Sequence, residues 1–231
     1  MLADADLASV AELMTAHRAS MLLALIGGRP LSAGELAGRA GISASLASNH
    51  LHRLLDGGLV SVEQHGRRRL YALASPHVAE VIEAMLTLAP DRRAWSLRES
   101  RHGHAIRDAR TCYDHLAGTL GVALTDALAH QGIIQAGDDH YSLTERGQHR
   151  LESFGIDIDD LRGRRRSFAR PCLDWTERRA HLAGALGAGI ADRLLELGWV
   201  SRLPKTRALR VTDLGEQGLR EEFAINLCAS D

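Results

Sequence analysis

Apolar residues between Leu2 and Ile26 recur at helical spacing, first as Leu7, Val10, Leu13 and Met14 and then as Met21, Leu22, Leu25 and Ile26. Gly27-Gly28-Arg29-Pro30 ends that run. A short helix over about Ala33 to Arg39 follows; Ser32 can cap its free amides, and Glu35 completes a capping box. Gly41 supplies the freedom a tight inter-helix turn needs, and Ser43 can cap the next helix. Along that helix Ala47, Leu51 and Leu54 mark one face. After Gly57-Gly58 the period shortens to two. Leu59, Val60 and Val62 predict a strand, Gln64-His65-Gly66 a turn, and Arg67 to Leu73 a returning strand. A further apolar helix, carrying Val78, Val81, Ile82, Met85 and Leu86, runs from about His77 to Leu88 and stops before Pro90.

The polar positions in this pattern point to chemistry. Ser43, Ala44, Ser45, Ser48, Asn49, His52 and Arg53 lie away from the apolar face of the helix after Gly41. Small hydrogen-bonding side chains let a helix enter the major groove and meet base edges. An ordinary surface helix is the competing reading, since Ser and Asn are common in any first turn. The hairpin decides between them. It places Arg67, Arg68 and Arg69 beside His65 at its tip, where guanidinium groups suit phosphates or the minor groove.

Gly41-Ile42-Ser43 through Ser48-Asn49-His50-Leu51 and Leu54, then Gly58-Leu59-Val60 and Gly66-Arg67 through Tyr71-Ala72-Leu73, resemble the winged helix of ArsR-type bacterial repressors. The likeness spans about Ala16 to Leu88. It implies a homodimer that blocks transcription from double-stranded DNA and leaves a palindromic operator when an effector binds, with the helices flanking the winged helix at the dimer interface. The metal-sensing members place paired cysteines at the start of the helix matching Gly34 to Arg39. No Cys occurs there, and His77 stands alone after Pro76, so the usual metal sites of the family are not implied.

The rest of the chain contains an internal repeat. Ala109-Arg110-Thr111-Cys112-Tyr113-Asp114-His115 recurs sixty positions later as Ala169-Arg170-Pro171-Cys172-Leu173-Asp174-Trp175. His115-Leu116-Ala117-Gly118-Thr119-Leu120-Gly121 recurs as His181-Leu182-Ala183-Gly184-Ala185-Leu186-Gly187. Each copy continues with an apolar helix ending at Gly132 or Gly198, a strand pair, a Leu/Val-Thr turn and a last helix. A fixed period means one supersecondary unit used twice. Compared with the first winged helix, the interval from the inter-helix glycine to the glycine before the hairpin is six residues shorter (41 to 58, against 121 to 132 and 187 to 198), a loss that would fall on a recognition helix. The two copies are therefore expected to sense and assemble, not to read DNA. The basic segment from Arg162 to Arg166 is expected to be a solvated linker between them.

The duplicated Cys-x-Asp is the candidate effector chemistry. If the copies pack about a pseudo-two-fold axis, Cys112 and Cys172 approach each other, with Asp114, His115, Asp174 and His181 nearby. Three readings stay open: cysteines that only fill a core, a thiol or thiophilic-metal sensor for zinc or an arsenical, and an organic-effector pocket lined by Trp175. The first is favoured, so no cofactor is the leading expectation. Cys228, near the C-terminus, plays no part in this reading, and His102, His104, Arg101 and Arg107 are expected to face solvent on a connecting helix.

Composition narrows the class. The 231 residues carry 28 basic and 29 acidic side chains, a net charge of -1, which argues against nonspecific coating of nucleic acid. Locally, Arg39, Arg53, Arg67, Arg68 and Arg69 outnumber Glu35, Asp56 and Glu63 between Pro30 and Leu73. No apolar run nears the roughly 20 residues of a membrane span, and no cationic signal start is present, so a cytoplasmic location is expected, with three widely spaced thiols kept reduced. Gly184 to Gly189 lacks the preceding strand of a dinucleotide loop, and no catalytic constellation stands out; an enzyme is not expected. The expected fold is mainly α with small β-hairpins: a winged helix-turn-helix domain over 1–92, which binds DNA and dimerises, then a duplicated effector or assembly domain over 93–231, with degenerate winged-helix-like repeats at about 109–160 and 169–226. The alternative function is a thiol or metal-binding sensor or scaffold that works mainly through protein contacts.

Overall fold

In the computed structural model, which describes residues 11–88, 97–204 and 206–227, the first apolar stretch is not one helix. It breaks at Thr15, whose extended backbone (φ -65, ψ 157) opens α1 (Ala16–Leu25). The positions from Leu2 to Val10 lie outside the described residues. The chain divides into two compact units, Met1–Ile82 and Glu83–Asp231.

The first unit continues with β1 (Leu31–Ser32), α2 (Ala33–Ala40), α3 (Ala44–Asp56), β2 (Val60–His65), β3 (Arg68–Leu73) and the start of α4 (Pro76–Leu86). The capping box forms as the sequence predicts: Ser32 Oγ accepts from the Glu35 amide, and the Glu35 carboxylate accepts from the Ser32 amide. Gly41, at φ +67, makes the left-handed turn between α2 and α3. Met21, Leu22, Leu25, Leu36, Leu51 and Leu54 are buried in this unit. The hairpin carries a third strand that its alternation could not reveal. β1 joins β3, pairing Leu31 with Tyr71 and Ser32 with Leu70, to give the order β1-β3-β2. Two residues are too few to show a period.

The second unit is the repeat made visible. One copy runs α5 (Leu97–Asp108), β4 (Arg110–Cys112), β5 (His115–Ala117), α6 (Gly118–His130), β6 (Ile134–Ala136), β7 (Tyr141–Leu143), α7 (Glu145–Ser153). The other runs α8 (Ile158–Gly163), β8 (Arg170–Leu173), β9 (Ala180–Ala183), α9 (Gly184–Glu196), β10 (Val200–Arg202), β11 (Leu209–Val211), α10 (Asp213–Phe223). Each is a winged-helix outline with a hairpin in place of β1 and a single helix in place of the α2-α3 pair. Gly121 and Gly187 are not inter-helix turns; they lie inside α6 and α9.

Close backbone approach explains these glycines. A Cβ on Gly121 would stand 2.5 Å from the Leu116 carbonyl oxygen, and one on Gly187 would stand 2.4 Å from that of Leu182. The same two positions reveal how the copies meet: the Cβ would next encounter His181 at 3.6 Å from Gly121, and His115 at 3.3 Å from Gly187. Each helix thus receives the hairpin of the opposite copy. The Tyr141 amide donates to Ala169 O at 3.1 Å and the Leu209 amide donates to Ala109 O at 2.9 Å, another exchanged pair. Thr144 and Thr212 cap α7 and α10 identically, accepting from Gly147 and Gly215. The copies are related by a pseudo-two-fold axis and share one apolar core that includes Leu120, Leu124, Leu186, Ile190, Trp199 and Phe223. Among the described residues no helix is long and apolar enough to cross a membrane.

Candidate functional site

α3 buries one side and exposes the other. Ala47, Leu51 and Leu54 are within 1% of complete burial. Ser45, Ser48, Asn49 and His52, spaced at i, i+3, i+4 and i+7, are all exposed, as are Ser43, Ala44 and Arg53. That spacing sets the four on one face of the helix. Ser43 Oγ accepts from the Leu46 amide and fixes the helix start, while the Ser48 hydroxyl donates back to Ala44 O at 3.0 Å. Leu46, 41% exposed, adds an apolar side chain to the exposed surface of α3.

The wing is tighter at its tip than the sequence suggests. His65 pairs with Arg68 and Gln64 with Arg69, so Gly66 and Arg67 form a two-residue turn and the returning strand starts at Arg68. Gly66 takes φ +61, and the Gln64 side-chain amide donates across the turn to Gly66 O. Consecutive strand residues face opposite ways. Arg68 and Arg69 therefore leave the hairpin on different sides, with Arg69 5.7 Å from the Tyr71 ring centroid and Arg67 in the turn between them. All three arginines and His65 are exposed.

In the second unit the two Cys-x-Asp segments meet. A two-residue turn, with Tyr113 at φ +60, sets Cys112 opposite His115 on β4 and β5; the longer β8-β9 hairpin sets Cys172 opposite His181. Cys112 Sγ lies 3.9 Å from Cys172 Sγ, and His115 Nε2 lies 3.2 Å from His181 Nε2. All four side chains are buried, and one donor atom from each falls within 4.8 Å of the others. Sequence periodicity did not reveal these hairpins, because β4 and β5 are three-residue strands buried at every position, and β8 and β9, of four residues each, do not alternate either.

Carboxylates stand behind both imidazoles. Asp114 Oδ1 is 3.3 Å from His115 Nδ1, and Asp174 Oδ2 is 3.3 Å from His181 Nδ1. Burial tends to raise the Asp114 carboxyl, yet hydrogen bonds from His115 and Arg166 and the Arg166 charge outweigh it and lower the pKa to about 2. Asp174 is held further below the usual carboxylate range: burial again opposes, while His181, Arg110, Thr176 and the Gly118 amide win. Sharing a proton with Cys112, together with bonds from both imidazoles, favours the thiolate at Cys172; the same sharing plus burial pushes the Cys112 thiol up. The His181 ring is raised, since Asp174 and Cys172 overcome its burial.

A second ring of residues carries no motif that a lone sequence could reveal. Arg110 donates to Asp174 Oδ2, Thr176 Oγ1 and Ile106 O, and its guanidinium sits 3.9 Å from the buried Glu83. Arg207 pairs with Glu83 and Arg166 with Asp114. Trp175 is half-buried and stacks under Arg110, whose Cζ is 5.1 Å from the ring centroid. The ring therefore packs against the Arg110 end of the ion-pair network. The basic segment is exposed from Arg162 to Arg165, as expected, but its first two residues, Arg162 and Gly163, end α8; Arg162 donates to Gln148, and Arg164 pairs with Asp160. His104 and Arg107 are exposed, as expected. Cys228 and the side chains of Arg101 and His102 lie outside the described residues.

Comparison with known proteins agrees with the first unit and extends to the whole chain. The helix-turn-helix domain family matches residues 13–63. YdfF of Bacillus subtilis, described as an uncharacterised HTH-type transcriptional regulator, is 43% identical over 223 residues, spanning 96% of this chain and 99% of the relative. YgaV of Escherichia coli, an HTH-type transcriptional regulator, is 33% identical over 79 residues, 34% of this chain and 80% of its own. Among solved structures, HlyU from Vibrio cholerae is 31% identical, covering 38% of this chain and 97% of its own, at a TM-score of 0.34. With two-fifths identity sustained along nearly its full length and a winged helix-turn-helix at its start, the chain belongs to the HTH-type transcriptional regulators.

Proposed function

We propose that this regulator is a homodimeric, ArsR-like repressor. α3 lies in the major groove of a palindromic operator, Ser45, Ser48, Asn49 and His52 meet base edges, and Arg67, Arg68 and Arg69 hold the backbone. The reading is carried by one observation: the four polar residues share an exposed face of α3, next in sequence to an arginine-tipped wing of the same unit. The dimer reading is supported by the apolar residues that α4 leaves exposed, Val81 at 43% and Met85 at 42%. The C-terminal pair of repeats, which lacks a two-helix reader, carries the effector response and releases the operator.

A second reading, a thiol or metal-responsive protein acting through protein contacts, draws support from the Cys112, His115, Cys172 and His181 cluster. A binding titration of the full chain on its own promoter region and on random duplexes, repeated over a range of salt, separates the two. Repression through DNA requires tighter binding to the promoter at every salt concentration, with a steep salt slope on both. Equal affinity for the two sequences would reject the repressor reading.

A further inference from the structure

We infer that Cys112, His115, Cys172 and His181 form a closed tetrahedral zinc site that fastens the two C-terminal repeats together. This deepens the assignment of a thiophilic metal to that cluster and is independent of the DNA-binding reading.

Geometry carries the inference. Zinc bonds thiolate sulfur at about 2.3 Å and imidazole nitrogen at about 2.0 to 2.1 Å in a tetrahedron, which sets a sulfur-sulfur edge of about 3.8 Å and a nitrogen-nitrogen edge of about 3.3 Å. The corresponding separations here are 3.9 Å and 3.2 Å. Both histidines present Nε2 to the centre and turn Nδ1 toward a carboxylate, Asp114 for one and Asp174 for the other. That carboxylate-histidine arrangement is the usual outer support of a zinc ligand, fixing ring orientation and raising basicity. Each carboxylate is in turn held by an arginine, Arg166 or Arg110.

The donor set selects the ion. Two sulfurs and two nitrogens suit a borderline divalent cation such as zinc. Inorganic arsenite takes three thiolates, and the cluster has two; a monosubstituted arsenical would use both thiolates and leave the two imidazoles without a role. Four protein ligands also fill the coordination sphere, leaving no position for water or substrate, which is the pattern of a structural site. Each repeat contributes one cysteine and one histidine across the pseudo-two-fold axis, so the ion cross-links the halves. On binding, both cysteines are thiolates and both imidazoles neutral, and the protons this displaces from the cluster leave to solvent. The zinc is then a resident ion of the fold and a separate matter from the inducer.

The test uses the full chain without DNA, purified and handled anaerobically with a non-chelating reductant. Elemental analysis should find one zinc per chain, and the Cys112→Ser, Cys172→Ser double variant should retain less than about a tenth of it, the loss expected when ligands that must bind as thiolates are removed. Should that variant fail to fold, cobalt exchanged into the unaltered protein still decides the matter: a tetrahedral centre gives intense ligand-field bands and a thiolate-to-cobalt charge-transfer band. Removing zinc with a strong chelator should lower the melting temperature, and adding zinc back should restore it. The inference is overturned by metal-free protein that takes up no zinc, by the weak spectrum of octahedral cobalt, by full zinc content in the folded double variant, or by a Cys112-Cys172 disulfide in place of the ion.

Discussion

Arg110 donates from Nη2 to Asp174 Oδ2 across 2.9 Å, and neither side chain has any solvent exposure. The carboxylate also accepts from the Gly118 amide and from Thr176 and Glu177, so the pair closes off the turn that leads into β9. Removing one partner of a buried ion pair leaves the other charged and unpaired, at a typical cost of about 3 to 5 kcal/mol. Arg110→Met and Asp174→Asn should each lower the urea midpoint of the C-terminal unit by a corresponding amount. Replacing both together should cost less than the sum of the two. A strictly additive double-mutant cycle would show that the pair does not act as a unit.

The proposed reader face of α3 and the wing makes a different kind of prediction, because phosphate and base contacts fail differently. Arg67→Ala and Arg69→Ala should weaken binding to promoter and random DNA alike, and each should reduce the salt slope by about one. Ser48→Ala and Asn49→Ala should leave random-sequence affinity nearly unchanged and narrow the preference for the promoter by about 1 to 3 kcal/mol where a good base contact is lost. Fluorescence anisotropy on both duplexes measures the difference. Four variants with one shared pattern of loss would remove α3 as the reader.

Dimerisation is open to a similar test. Val81 and Met85 lie at i and i+4 on α4, partly exposed, while Ile82 on the same helix is buried. Charges placed on such a stripe leave the core of the monomer intact and cannot be buried unpaired in an interface. The Val81→Glu, Met85→Glu variant should sediment as a monomer with an unchanged circular dichroism spectrum, and its promoter affinity should fall. An unaltered dimer would put the interface elsewhere.

His50 gives the first unit an acid sensitivity. Burial lowers its pKa, followed by the charges of Arg18, His17 and Arg53, and Arg18 Nη1 stands 3.4 Å from its Nδ1. The ring is therefore held neutral in the fold and takes up a proton more readily when the chain unfolds. Its contribution to stability is complete above the ordinary histidine value of about 6.5 and is lost as the pH falls through that value toward the lowered one. Urea midpoints between pH 8 and pH 5, chosen to bracket about 6.5, should fall less steeply for His50→Gln than for the unaltered protein. Parallel curves would show that other groups govern the acid limb.

Local rules made much of the first unit legible. The Ser32 to Glu35 capping box, the left-handed Gly41 and the change from helical to alternating period at Gly57-Gly58 each act within a few residues, so they can be read from the chain directly. The repeat was equally plain, because duplication copies sequence along with shape. The Cys112 and Cys172 segments were visible as a matched pair, yet their hairpins were not: strands of three or four residues, mostly buried, leave no alternation to detect.

By itself, then, the order of residues settled the winged helix, the polar exposed face of α3 and the presence of two related copies behind it, since each depends on neighbours in the chain. The meeting of Cys112 with Cys172 and of His115 with His181 was decided by tertiary structure alone. Residues 60 and 66 positions apart come within bonding range only when each copy's hairpin packs on the other copy's helix. The pairing of Arg110 with Asp174 and of Arg207 with Glu83 has the same origin. Charges buried together by long-range packing have no local pattern to announce them.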